Sequence, residues 1–151
     1  MQLLQNIPRH NGHKLFIDNW YTNVKLATTL LNQGIALVGT VQPNRFTNCK
    51  MSTDKDMKKN ERGLVEIKTC QNDGVELRAI KWFDSRSVNI RTTYESVVPT
   101  TQVKRWNKKE TKEVLVDCTS AIVTYNKCMG GVDLLDGLLS YYRVRKNDII
   151  G

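Results

Sequence analysis

The chain has 151 residues, 40% of them hydrophobic and 25% charged, with 23 Lys and Arg against 15 Asp and Glu for a formal charge of +8. That length suits one ordinary domain with a real core, and those proportions exclude wholesale disorder. No apolar run approaches a membrane span, the N-terminal stretch has neither signal-peptide nor transit-peptide character, and the positive excess favours an anionic partner, nucleic acid first.

In chain order, "MQLLQNIPRHNGHK" is a lead-in whose His10 and His13 have no acid or cysteine beside them, so a solvated loop is expected. "HKLFID", residues 13–18, predicts a short buried strand that ends on an acid, Asp18. "VKLATTLLNQG" carries a helical period, with Val24, Ala27, Leu30 and Leu31 on one face. Thr22 or Asn23 can cap that helix, and Gly34 stands where a left-handed C′ residue belongs. "IALVGTV", residues 35–41, predicts a second buried strand broken at Gly39. The three form a βαβ unit, whose parallel pairing would put Asp18 at the carboxyl edge of a sheet.

"QPNRFTNCKMSTDKDMKKNERG" is polar and lysine-rich without periodicity, which predicts an extended loop. Alternation returns from Leu64 to Glu95, broken at Asn72-Asp73-Gly74 and Asp84-Ser85-Arg86, and predicts a three-stranded antiparallel meander inserted beside the βαβ core. "VPTTQVKRWNKKETKEVLVDCTS" reads as a basic linker with one further strand near Val114–Val116. Two helices are expected after it, "AIVTYNKCMGG" and "VDLLDGLLSYYRV", the second with Leu134, Leu135, Leu138, Leu139 and Tyr142 on its apolar face. The expected organisation is α/β: a βαβ part at 1–43, a basic β-rich insertion at 44–116, and a C-terminal helical part at 117–151. Cys49, Cys70, Cys118 and Cys128 are widely spaced with no C-x-x-C, which predicts reduced thiols of the cytoplasm or nucleus.

Three acids stand out. A strand-end carboxylate such as Asp18 must be paired, solvated or bound to metal, although a turn or Asx cap would also account for it. Asp133 and Asp136, three apart on a helix, are neighbours at roughly 5–6 Å between Cβ atoms, or first-turn acids complementing the helix dipole. Gly130 and Gly131 directly before them predict a tight approach of that helix start to the sheet edge. Trp82 and Trp106, near Lys81, Lys104 and Arg105, suit either base stacking or packing in a β layer.

Together, "IDNWYTNVKLATTLLNQGIALVGTVQPNR", "IKWFDSRSVNIRTTYES" and "VTYNKCMGGVDLLDGLLSYYRVR" resemble the transposase domain of piggyBac-type elements, in the family's order and over nearly the whole chain. The resemblance implies a ribonuclease H-like core in which three aspartates hold two divalent metals, Mg²⁺ or Mn²⁺, for DNA cleavage and joining. It places the second aspartate at Asp18 and the third at Asp133, with Asp136 an accompanying acid. It also implies a first aspartate on an earlier strand, whereas residues 1–17 contain no acid. Gln42 stands where the family usually has arginine, and Thr119 where it commonly has proline. The expectation is a partial core with an incomplete two-metal site, inactive in transposition alone and completed only by a complementing chain or an upstream segment.

The implied partner is DNA, reached in the nucleus, with a homodimer as a further possibility and no membrane. Arg45, Lys58, Lys59 and Arg62 of the basic loop, and Lys104, Arg105, Lys108 and Lys109 of the linker, are the candidates for backbone contact. The alternative is a non-catalytic DNA-binding or interaction module derived from a transposon.

Overall fold

The computed structural model describes residues 4–46, 49–72, 74–94 and 99–141. Seven strands and three helices follow in order: β1 (Lys14–Ile17), α1 (Val24–Asn32), β2 (Ala36–Thr40), α2 (Asp54–Met57), β3 (Val65–Asn72), β4 (Val75–Phe83), β5 (Ser87–Thr92), β6 (Thr100–Asn107), β7 (Lys112–Thr119) and α3 (Ser120–Tyr141). The βαβ unit is present, with β1 parallel to β2 and Ile17 opposite Gly39. Asn23 caps α1 by accepting from the Leu26 amide at 2.8 Å. Gly34 follows the helix at φ 70°, the left-handed conformation that stops it.

The meander is not a separate layer. β5 pairs antiparallel with β2, so one five-stranded sheet runs β1-β2-β5-β4-β3. The pleat sorts its side chains onto two faces. Leu37, Val75 and Leu77 meet Ala27 and Leu30 of α1 on one face. Val38, Ile80, Trp82 and Ile90 meet Val116, Ala121, Ile122 and Tyr125 on the other. The linker departs further from expectation, because Thr100–Asn107 is a strand paired in register with β7. Its alternate residues Val103 and Arg105 face inward while Lys104 and Trp106 face out, so a half-buried strand is hidden inside a basic, low-hydrophobicity sequence.

The lysine-rich loop is also ordered where it is described. Thr53 caps the short helix α2, whose Met57 is buried. Lys81, buried near the end of β4, donates to the Ser52 carbonyl and pairs with Asp54, both at 2.7 Å. The Lys81 ammonium, then the Ser87 hydroxyl, hold the Asp54 carboxyl below the usual carboxylate range. An unpaired buried ammonium would be very costly, so this loop is the counter-charge that permits lysine in a core strand. Cys49 and Cys70 are joined in a disulfide with 6.7 Å between Cα atoms, contrary to the expected free thiols; Cys118 is a buried thiol and Cys128 an exposed one.

The expected pair of C-terminal helices is one continuous helix, α3, running straight through Gly130 and Gly131. Among the described residues a Cβ at either glycine would meet nothing within 4 Å, so neither serves a close approach to them. Helix interiors tolerate glycine at roughly 0.5–1 kcal/mol each, and the flanking turns carry α3 across them. Beyond them Leu134, Leu135, Leu138 and Leu139 are exposed rather than packed, and Tyr142 lies outside the described residues. Replacing both glycines by alanine should therefore stabilise the chain by about 1–2 kcal/mol in urea unfolding. A lower midpoint would mean that the glycines do accommodate a neighbour.

Candidate active site

Asp18 follows β1 directly and opens a turn that folds back over the end of β2. Its carbonyl accepts from the amides of Tyr21 at 3.1 Å and Thr22 at 3.3 Å, and from the Thr22 hydroxyl at 3.0 Å. The Thr22 side chain is wholly buried against Gly39: a Cβ there would lie 2.2 Å from Thr22 Oγ1 and 2.9 Å from Ile17 Cγ1. Gly39 does not break β2, as the sequence suggested, but keeps its surface open for the turn.

The half-buried carboxylate of Asp18 is oriented by three donors, all on Oδ1: the Asn19 amide at 2.6 Å, Asn19 Nδ2 at 3.1 Å and Thr40 Oγ1 at 3.3 Å. Thr40 lies 3.2 Å from the Tyr125 hydroxyl, so a hydrogen-bonded row runs from α3 across the end of β2 to Asp18. Burial pushes the Tyr125 phenol up, and the nearby Asp18 charge adds to this, while the Thr40 bond works against it. Arg45 reaches the Asn19 carbonyl at 2.7 Å, and its own carbonyl accepts from buried Arg91 at 3.2 Å. Arg45 thus clamps the Asp18 turn.

Asp133 projects from the exposed half of α3 toward the same place. Asp18 and Asp133 share the wall of a cavity of about 750 Å³, with Phe16, Tyr21, Cys128 and Met129 among its other lining residues. Asp136 is exposed on the next turn and does not line it. Asp133 reaches the cavity from mid-helix, not from a helix start. Among the described residues, no three His, Cys, Asp or Glu side chains converge as a metal cage. Among the described residues the buried Asn19 Oδ1, next to Asp18 in sequence, has no hydrogen-bond partner.

The basic candidates divide into two groups. Arg62 and Arg105 both pair with Asp84, Arg62 Nε at 2.7 Å and Arg105 Nε at 3.4 Å, and Arg105 also stacks 5.7 Å above the Trp82 ring. Trp82 is buried and donates to the Asp117 carbonyl at 2.7 Å, so this cluster fastens the β6–β7 hairpin to the sheet. With Arg45 spent on Asn19, three arginines are structural ties. Lys58, Lys59, Lys104, Lys108 and Lys109 are exposed, Lys59 facing Asp56 at 3.4 Å and Lys104 facing Glu113 at 3.9 Å. Trp106 is exposed beside them.

Two measurements check this site. Gly39→Ala should cost about 1–3 kcal/mol in unfolding free energy through the clash with Thr22, whereas a neutral effect would mean that the turn does not lie on β2. The raised Tyr125 phenol gives stability that is complete below the ordinary phenol range and lost as pH rises through its folded value. Tyr125→Phe should flatten that alkaline decline in stability, and an unaltered decline would exclude Tyr125 as its source.

The chain matches a family model described as Transposase IS4 over residues 1–148. It is 28% identical over 133 residues to the human PiggyBac transposable element-derived protein 2, covering 88% of this chain and 22% of that protein. It is 29% identical over 135 residues to the human PiggyBac transposable element-derived protein 3, covering 89% of this chain and 22% of that one. The chain therefore spans about a fifth of the length of these relatives. Its fold is similar to that in a cryo-EM structure of a piggyBac transposase synaptic complex with hairpin DNA, with a TM-score of 0.55 and 22% identity, covering 92% of this chain and 26% of that one. Among the described residues no helix is long and apolar enough to cross a membrane.

Proposed function

The chain belongs to the piggyBac-type transposase family, and from that premise we propose that it carries two of the carboxylates of a ribonuclease H-like, DNA-cleaving core. The observation that carries the reading is the cavity that Asp18 and Asp133 share. Its donor set suits a hard divalent cation, two carboxylates on the wall of one cavity, which leaves the remaining coordination positions to water or phosphate. Asp18 and Asp133 would hold Mg²⁺ or Mn²⁺, while Asp136 stays outside the cavity. When bound, such a cation supplies Lewis-acid stabilisation of a phosphoryl oxygen.

The chain's own residues prepare the site. Asn19 and Thr40 fix the Asp18 carboxylate, Tyr125 holds Thr40 to α3, and Arg45 prevents the turn from swinging away. The family resemblance implies three aspartates, and among the described residues no third acid joins these two. We therefore read the chain as a half-site that binds DNA and cleaves it only when another segment or chain supplies the third carboxylate. A non-catalytic DNA-binding module is the reading that the same half-site favours if no such partner exists. Contact with the backbone falls to Lys58, Lys59, Lys104, Lys108 and Lys109, and the expected place of action is the nucleus. In that reducing compartment Cys49 and Cys70 would stand as thiols.

Fluorescence anisotropy with a labelled duplex tests the binding half of this reading. Affinity should fall steeply from low to physiological salt, and K108A/K109A should lower the slope of log K against log salt by about 2. An affinity indifferent to salt would contradict it. In Mg²⁺, nicking of supercoiled plasmid should not exceed that of the D18N/D133N chain, and cleavage that both substitutions abolish would mean that the site is complete within this chain.

A further inference from the structure

The turn after Asp18 holds its two largest side chains out into solvent. Trp20 is 74% and Tyr21 70% exposed. A chain normally buries such rings, each of which removes about 150–250 Å² from water. Here the backbone that carries them is fixed on every side: Asn19 to Asp18 and Arg45, Tyr21 and Thr22 to the Asp18 carbonyl, and Asn23 Nδ2 to the Tyr21 carbonyl at 3.1 Å. Buried Thr22 anchors the turn from beneath. The rings are therefore carried on a fixed turn that opens at Asp18, and Tyr21 lines the cavity itself.

We propose that Trp20 and Tyr21 grip an unpaired nucleobase of DNA at the mouth of the Asp18–Asp133 cavity, and so position the strand at the candidate active site. The inference rests on the DNA-binding reading above. Aromatic faces stack on any base, which contributes affinity without sequence preference. The cavity, at about 750 Å³, lies within the size range of small-ligand sites, and Phe16 and Met129 give it apolar walls suited to a base. Its two carboxylates repel a backbone phosphate when no cation is bound, so attraction at this point has to come from the base and not from the backbone. The +8 charge of the chain draws the strand in from outside.

The test compares the 151-residue chain on two labelled DNAs in the absence of divalent metal: a blunt duplex, and the same duplex with a short single-stranded thymidine tail. The intact chain should prefer the tailed DNA. W20A and Y21A should each lose about tenfold on the tailed DNA alone, while W20F keeps the preference. Thermal midpoints should not move, because both rings are exposed. Equal binding of the two DNAs by the intact chain, an unchanged preference in both alanine variants, or an equal loss on both DNAs would overturn the proposal while leaving DNA binding in place. An intact chain that binds neither DNA at low salt would overturn the DNA-binding reading as well.

Discussion

Everything at the candidate site depends on how closely the turn after β1 can lie on β2. Thr22 packs where a side chain on Gly39 would be, and that contact sets the height of the turn above the sheet. From that height Asp18 meets Thr40, Thr40 meets Tyr125, and Tyr125 ties α3 to the end of the parallel pair. A methyl group at position 39 would push the turn outward, and the whole row of contacts would lose register. One missing Cβ thus links local backbone packing to the placement of a carboxylate.

The sheet imposes a second constraint, since several charged groups lie within it. Lys81 and Arg91 are both buried, and each is satisfied by a segment outside the strands: Lys81 by Ser52 and Asp54, Arg91 by the Arg45 carbonyl. Hydrogen bonds to charged groups contribute about 1.5–3 kcal/mol and are expensive to leave unmade. The segments that look like loops are therefore structural counter-charges. Through Arg45 the same arrangement reaches the Asp18 turn, so core electrostatics and site geometry are one connected problem.

Much of this was legible in the sequence. The βαβ unit, the Asn23 cap, the Gly34 stop and the meander turns are local signals, and local signals survive tertiary packing. Asp18 stands out in the sequence as an acid at the end of an apolar strand, and Asp133 through a family motif, and the structure brings the two to one cavity wall. The glycines were read the wrong way round. Gly130-Gly131 is conspicuous as a pair yet meets no neighbour among the described residues, while single Gly39 looked like a break and is the close contact. Nothing in the sequence says that residue 22 returns to residue 39, because that contact depends on the parallel register of two strands. β6 was missed because two of its three inward positions carry an arginine and an asparagine and only Val103 is apolar. Arg45, Arg62 and Arg105 are basic enough to suggest DNA, and only their acidic and carbonyl partners, distant in sequence, reveal them as ties.

We propose that Asp18 and Asp133, which lie on different elements and far apart in sequence, form one cation site. Mn²⁺ titration followed by electron paramagnetic resonance, on the intact chain and on D18N, D133N and the double variant, tests it most directly. Each single substitution should weaken Mn²⁺ binding, and the double variant should lose little more than either one, as groups sharing one ion must behave. Binding unaffected by either substitution, or losses that simply add as for independent sites, would contradict it.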